Sequence, residues 1–130
     1  MTTVRDVMST PLVTVGPDDT VQLAASRMFG SRTGSTLVME ADRLLGIFTE
    51  RDIVNALAGT SDAGRSSTVG ARMTPNPQVI EATATVGGAL DRMLEGGFRH
   101  LPVVEDGHVV GVVSMRDLAD ELSRRALSHR

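Results

Sequence analysis

Apolar residues along this chain follow two kinds of spacing, and the sequence runs through both twice. Val21, Ala24, Ala25 and Met28 recur at three- and four-residue steps, as do Val86, Ala89, Leu90 and Met93, which puts each set on one face of a helix. Two short apolar runs follow each helix: Ser35 to Met39 with Leu44 to Phe48, then Leu101 to Val104 with Val109 to Val113. The polar tetrads from Glu40 to Arg43 and from Glu105 to His108 join them, so each pair predicts a β hairpin. Ahead of each long helix the pattern predicts a short helical turn ending at Met8 or Met73. It then predicts an extended piece, Leu12 to Val15 or Val79 to Ile80. A closing helix is predicted from near Arg51 or Arg116 to about Leu57 or Leu122.

The recurrence is a duplication. At an offset of 65, residues 4–57 align with 69–122 without a gap. Identical pairs include Met8/Met73, Thr20/Thr85, Arg27/Arg92, Met28/Met93, Gly46/Gly111, Arg51/Arg116 and Asp52/Asp117, positions that packing or chemistry would fix. The fold class expected is α/β in the broad α+β sense, two tandem βαββα repeats. One copy has too little core to stand alone, so the two are expected to pack sheet against sheet about a pseudo-twofold axis. The division expected is residues 1–60 for the first repeat, 61–68 for a linker, 69–123 for the second repeat and 124–130 for a basic tail. The stretch 58–68 is rich in Gly, Ser and Thr, as linkers are.

Composition narrows the function. With 130 residues and 41% hydrophobic content, the chain can bury a core without disulfide or metal staples. No apolar run reaches the roughly 18 residues of a membrane span, Arg5 and Asp6 interrupt any signal peptide, and cysteine is absent, so a cytoplasmic protein is expected. A net charge of −3 and three Phe with no Tyr or Trp argue against nucleic acid. His100, His108 and His129 lack metal-ligand spacing, so no metal site is expected. The chain has no lysine, no phosphate-cradling GxxxxGK[ST] loop and no GxSxG elbow, so neither ordinary P-loop chemistry nor an activated nucleophile is expected, and no catalytic residue is assigned. The tail, with Arg124, Arg125, His129 and Arg130, reads as a solvated helix end, dispensable for folding and binding.

The most informative stretch is Gly46-Ile-Phe-Thr49-Glu-Arg51-Asp52, repeated as Gly111-Val-Val-Ser114-Met-Arg116-Asp117. Two readings compete. Thr or Ser three residues before an acid is a helix capping box and needs no ligand. Alternatively, a helix start after a strand offers amides to phosphate, and a carboxylate one turn in can accept from both hydroxyls of a ribose. The cap leaves Arg51 and Arg116 unexplained, since a cation in the first turn opposes the helix dipole; a solvated arginine is the plain alternative to a nearby anion.

The hxxxM turn, Thr14 to Val21 read as TVxPDxTV, the helix, and Arg99 to Asp117 read as RHLPVVEDGHVVGVVSMRD together resemble the CBS domain family, over nearly the whole chain and in both copies. The resemblance implies a stand-alone tandem pair, or Bateman module, with two clefts that bind an adenosine-containing ligand: AMP, ADP, ATP or S-adenosylmethionine. It implies that each cleft mixes repeats. One would hold Thr49, Arg51 and Asp52 with Met73, Val79, Ile80, Arg99, His100 and Pro102. The other would hold Ser114, Arg116 and Asp117 with Met8, Val13, Val15, Gly34 and Ser35. In these, Asp52 and Asp117 would bind ribose, Thr49 and Ser114 would lie near ribose or phosphate, and Arg51 and Arg116 would face phosphate. The first copy departs from the family pattern at Gly34-Ser35-Thr36-Leu37, where Leu37 replaces the usual proline. The resemblance further implies a homodimer, with the ligand regulatory and no cofactor required; a sensor of this kind, with no effector domain read in the sequence, is expected to act on a separate effector protein or to buffer its ligand. The alternative reading is a structural dimerisation or scaffold module with no bound nucleotide.

Overall fold

The structure, a computed structural model, describes residues 2–58 and 63–128. Part of the expected linker, 59–62, and the end of the tail, 129–130, lie outside the described residues. In chain order the elements are α1 (Val4–Val7), β1 (Thr14–Val15), α2 (Val21–Ser31), β2 (Ser35–Glu40), β3 (Arg43–Thr49), α3 (Glu50–Leu57) and α4 (Ala63–Ser66). They continue with α5 (Val69–Arg72), β4 (Thr74–Pro75), β5 (Ile80–Glu81), α6 (Val86–Gly96), β6 (His100–Glu105), β7 (His108–Ser114) and α7 (Met115–Ser128). The fold is mixed α+β, and the chain divides into two compact units, residues 12–77 and residues 1–11 with 78–130. Those boundaries are not the repeat boundaries: each unit takes its short N-terminal helix from the other sequence copy.

In the unit of residues 12–77 the sheet order is β1-β2-β3-β4, with β1 parallel to β2 and the remaining pairs antiparallel. Thr20 starts α2 by accepting the Leu23 N–H at 3.1 Å, and Arg32 ends it in the left-handed region at φ 54°. The inward face of α2, carrying Val21, Ala24 and Met28, packs on Val15, Val38 and Phe48 of the sheet and on Ala56 of α3. Burying the valine, methionine and phenylalanine side chains among these contributes about 1.5–3 kcal/mol each. Val69 at the start of α5 completes the core, its N–H donating to Asp19 O at 2.8 Å while the Gly70 N–H donates to Pro17 O at 2.9 Å. Inside the expected linker, α4 forms a helical turn against α3. A Cβ at Gly64 would stand 1.9 Å from the Ala56 carbonyl oxygen, so the close approach requires glycine.

The unit of residues 1–11 and 78–130 repeats this plan with the sheet order β5-β6-β7. The Val4 N–H donates to Ala84 O at 2.8 Å and the Arg5 N–H to Ala82 O at 3.0 Å, which are the α5 bonds displaced by the repeat offset. Val4 joins a core of Ile80, Val86, Ala89, Met93, Leu101, Val103, Val113 and Leu118. Arg5 also pairs with Glu105. Thr85 caps α6, and Gly97 ends it at φ 72°. The closing helix α7 runs past the expected Leu122 to Ser128, so the start of the basic tail is helical. Arg125 faces Glu121 at 3.6 Å there.

Candidate functional site

Both aspartate tetrads sit where a strand turns directly into a helix, and both are capping boxes. Thr49 donates its N–H to Asp52 Oδ2 at 2.9 Å and its hydroxyl to the same oxygen at 3.2 Å. In the second copy the Ser114 N–H donates to Asp117 Oδ2 at 2.8 Å, and the Asp117 N–H donates to Ser114 Oγ at 3.1 Å. The boxes therefore use one carboxylate oxygen each, Oδ2. A third box, the Thr3 N–H to Asp6 Oδ2 at 2.9 Å, starts α1, so this tetrad also serves here purely as a helix start.

The expected site residues divide between the two units. Residues 12–77 hold Val13, Val15, Gly34, Ser35, Thr49, Arg51, Asp52 and Met73; the other unit holds Met8, Val79, Ile80, Arg99, His100, Pro102, Ser114, Arg116 and Asp117. Within each unit the helix start lies beside the start of the hairpin's first strand. Ser35 is opposite Thr49, and Gly34 O accepts the Glu50 N–H at 3.1 Å. Likewise His100 is opposite Ser114, and Arg99 O accepts the Met115 N–H at 2.8 Å. Arg51, Arg116 and Arg99 are exposed, Asp52, Asp117 and His100 half-buried, and Pro102 buried.

The remaining candidates divide between core and lining. Val15 and Ile80 are buried core residues, whereas Val13 and Val79 are half-buried at the sheet entrance. Met73 and Met8 lie over the glycines of β3 and β7: a Cβ at Gly46 would stand 2.4 Å from Met73 Sδ, and one at Gly111 2.5 Å from Met8 Sδ. The hydroxyls of Ser35 and of its neighbour Thr36 are buried without a hydrogen-bond partner. A cavity of about 180 Å³ lined by Val21, Gln22, Ala25, Ile53, Leu57 and Arg65 touches none of the expected site residues. Among the described residues there is no metal-ligating cluster, and no helix is long and apolar enough to cross a membrane.

Sequence reasoning gave no role to Arg27 and Arg92. Arg27 Nη1 donates to Thr14 O at 2.6 Å and Arg92 Nη1 to Val79 O at 2.5 Å, so each ties α2 or α6 to the extended piece that precedes it. The signal was present in the alignment as an identical arginine pair on otherwise variable, exposed helix positions.

The CBS domain family matches residues 4–59 and again 68–124, and the chain belongs to that family. An uncharacterized 17.7 kDa protein of Acidianus ambivalens is 39% identical over 93% of this chain and 73% of its own length. A CBS-domain protein of Agrobacterium tumefaciens has a solved structure that is 35% identical, with a TM-score of 0.87 over 93% of this chain and 99% of that one. The CBS domain pair of protein MJ0100, solved with 5′-methylthioadenosine and S-adenosyl-L-methionine, matches at 26% identity and a TM-score of 0.85, covering 95% and 98% of the two chains. Other relatives are much longer: the match covers only 15% of the meiotically up-regulated gene 70 protein of Schizosaccharomyces pombe.

Proposed function

We propose that this protein is a non-catalytic regulatory module that binds an adenosine-containing ligand through the Asp52 and Asp117 tetrads. The observation that carries the reading is the geometry of those carboxylates. Each is fixed at a strand-to-helix junction through Oδ2, so its other oxygen, Oδ1, is oriented without being used by the cap and can accept from ribose hydroxyls. Arg51 and Arg116, exposed in the first turn, supply cations for phosphate where the helix dipole alone would disfavour them. The MJ0100 pair, bound to two adenosine derivatives, supports the ligand class. The cross-repeat grouping of site residues remains part of this proposal, as do a homodimer, a cytoplasmic setting and a separate effector protein.

The test is thermal unfolding and calorimetric titration with AMP, ADP, ATP and S-adenosylmethionine, with mass spectrometry of any ligand released from purified protein. A ligand that binds only the native state at a hundredfold excess over Kd adds about 2.7 kcal/mol. No stabilisation by any of the four would favour the scaffold reading, and turnover of ATP would refute a non-catalytic role.

A further inference from the structure

The cavity between α2, α3 and α4 lies apart from the aspartate tetrads, and the two copies differ at its walls. These include Ala25 and the half-buried Ile53; the equivalent residues, Leu90 and Leu118, pack against and within the core of the other unit. At about 180 Å³ it exceeds the roughly 150 Å³ that admits benzene, so a leucine side chain can enter. The other unit offers the matching projection. On α6, Leu94 is exposed between Asp91 and Glu95, whereas the start of the helix is bare: a Cβ at Gly87 would meet nothing within 4 Å. The span from Gln22 to Phe29 equals that from Gly87 to Leu94, about two helical turns. An α2 laid antiparallel on the α6 of a second copy therefore brings Leu94 to the cavity at Gln22 and Phe29 onto the Gly87 backbone. Glu95 then arrives beside Arg65 of the cavity wall, whose guanidinium can donate to a carboxylate.

Charge distinguishes this pairing from one of like with like. The exposed acids Asp91, Glu95 and Asp120 stand where the first copy has Ser26, Gly30 and Asn55. The arginine within each helix, Arg27 or Arg92, is engaged alike by a carbonyl. Laid on its own copy in the same register, α6 would bring Asp91 close to Asp91, a like-charge contact that opposes association. The α2 sequence has no acid and receives α6 without it. Every exposed large apolar side chain among the described residues lies on α2, α3, α6 or α7, the surface that such a contact covers. We propose that two copies pair head to tail, the unit of residues 12–77 of one taking Leu94 of the other into its α2–α3–α4 cavity. The inference rests on the homodimer included in the proposed function and adds which helices meet.

The chain has no cysteine, so introduced thiols report the orientation. Ser26→Cys and Asp91→Cys chains, each oxidised alone, should stay unlinked, and an equal mixture should give a disulfide-linked dimer. Linkage of either variant with itself in preference to the mixture means that like units meet. That result, or a dimer that none of these thiols links, overturns the head-to-tail pairing and leaves the homodimer standing; a wild-type monomer in light scattering removes both. Without thiols, Leu94→Ala and Ala25→Leu, checked for folding by circular dichroism, should each weaken the dimer at least about tenfold. The first removes the entering side chain, and the second fills the cavity with the residue that the other copy carries at the equivalent place, Leu90. A dimer indifferent to both refutes the docking of Leu94. Ser26→Arg should tighten the dimer by up to about fivefold through Asp91 of the second copy, and weakening instead would show α2 facing α2 and overturn the pairing.

Discussion

Phe29 and Leu94 occupy equivalent places near the ends of α2 and α6, and both are turned to solvent, at 89% and 65% exposure. Leu57 and Leu122 repeat the relationship on α3 and α7. An apolar surface displayed twice by a duplicated chain suits a self-complementary contact between two copies. A homodimer is therefore expected at micromolar concentration. Phe29→Asp combined with Leu94→Asp should shift the mass in light scattering toward the monomer with little change in circular dichroism. A wild-type monomer would contradict the expectation.

Binding of a phosphorylated adenosine should be unequal between the two tetrads. The resemblance groups Asp52 with Arg99, His100 and Pro102, but Asp117 with Gly34 and Ser35, which offer no cation. Charge-assisted hydrogen bonds contribute about 1.5–3 kcal/mol, so Asp52→Asn should weaken AMP binding by roughly ten- to a hundredfold or more, Arg99→Ala less, and Asp117→Asn hardly at all. Titration of the three variants decides it: equal losses in the two Asn variants would show the grouping to be wrong.

Thr36 is buried and its hydroxyl has no hydrogen-bond partner, while the equivalent residue of the second copy, Leu101, lies in the core of the other unit. Thr36→Val keeps the shape and removes the unpaired polar atom, so it should stabilise the protein by about 1 kcal/mol in urea titration. A loss of stability would mean that the hydroxyl has a partner in solution.

Fragments should obey the compact units rather than the repeats. Residues 12–77 contain β1 to β4 with the Val69 contribution to the core, whereas residues 1–60 lack Val69 and the α5 bonds to Asp19 and Pro17. The 12–77 fragment should retain more helical circular dichroism and slower amide exchange than 1–60. Within the full chain, Val69→Ala should cost about 2 kcal/mol from lost burial and the cavity left behind. If 1–60 proves the better folded piece, the exchange of N-terminal helices is not what stabilises the units.

The order of elements was legible because the duplication lets each copy check the other, and the strands found at Arg43–Thr49 and His108–Ser114 enclose the apolar runs that predicted them. The capping boxes were legible from Thr49 to Asp52 and Ser114 to Asp117, where local chemistry suffices. The exchange of short helices was not. Val4 and Val69 stand at equivalent positions, and Asp19 and Ala84 are equivalent too, so a pattern that repeats at a fixed offset fits pairing within a copy as well as pairing between copies. The helical turn α4 was hidden by its composition, since Gly64 acts through the side chain it lacks. The later start of the β5–β6 pairing, at Ile80 opposite Val103 where β1–β2 begins at Thr14 opposite Leu37, was written in the sequence as Leu37 against Pro102, which has no N–H to donate.

The bond from Val4 to Ala84 also sets a timetable for synthesis. Residues 1–11 are made before residues 12–77, yet their partners come only after the whole of that stretch, so this segment waits while the other unit can already close. At about 5–20 residues per second that wait lasts several seconds, with the apolar side of α1 unsatisfied throughout. The unit that includes residues 1–11 is thus the second to be finished, and its first-made helix stays open until residues 82–84 have been added.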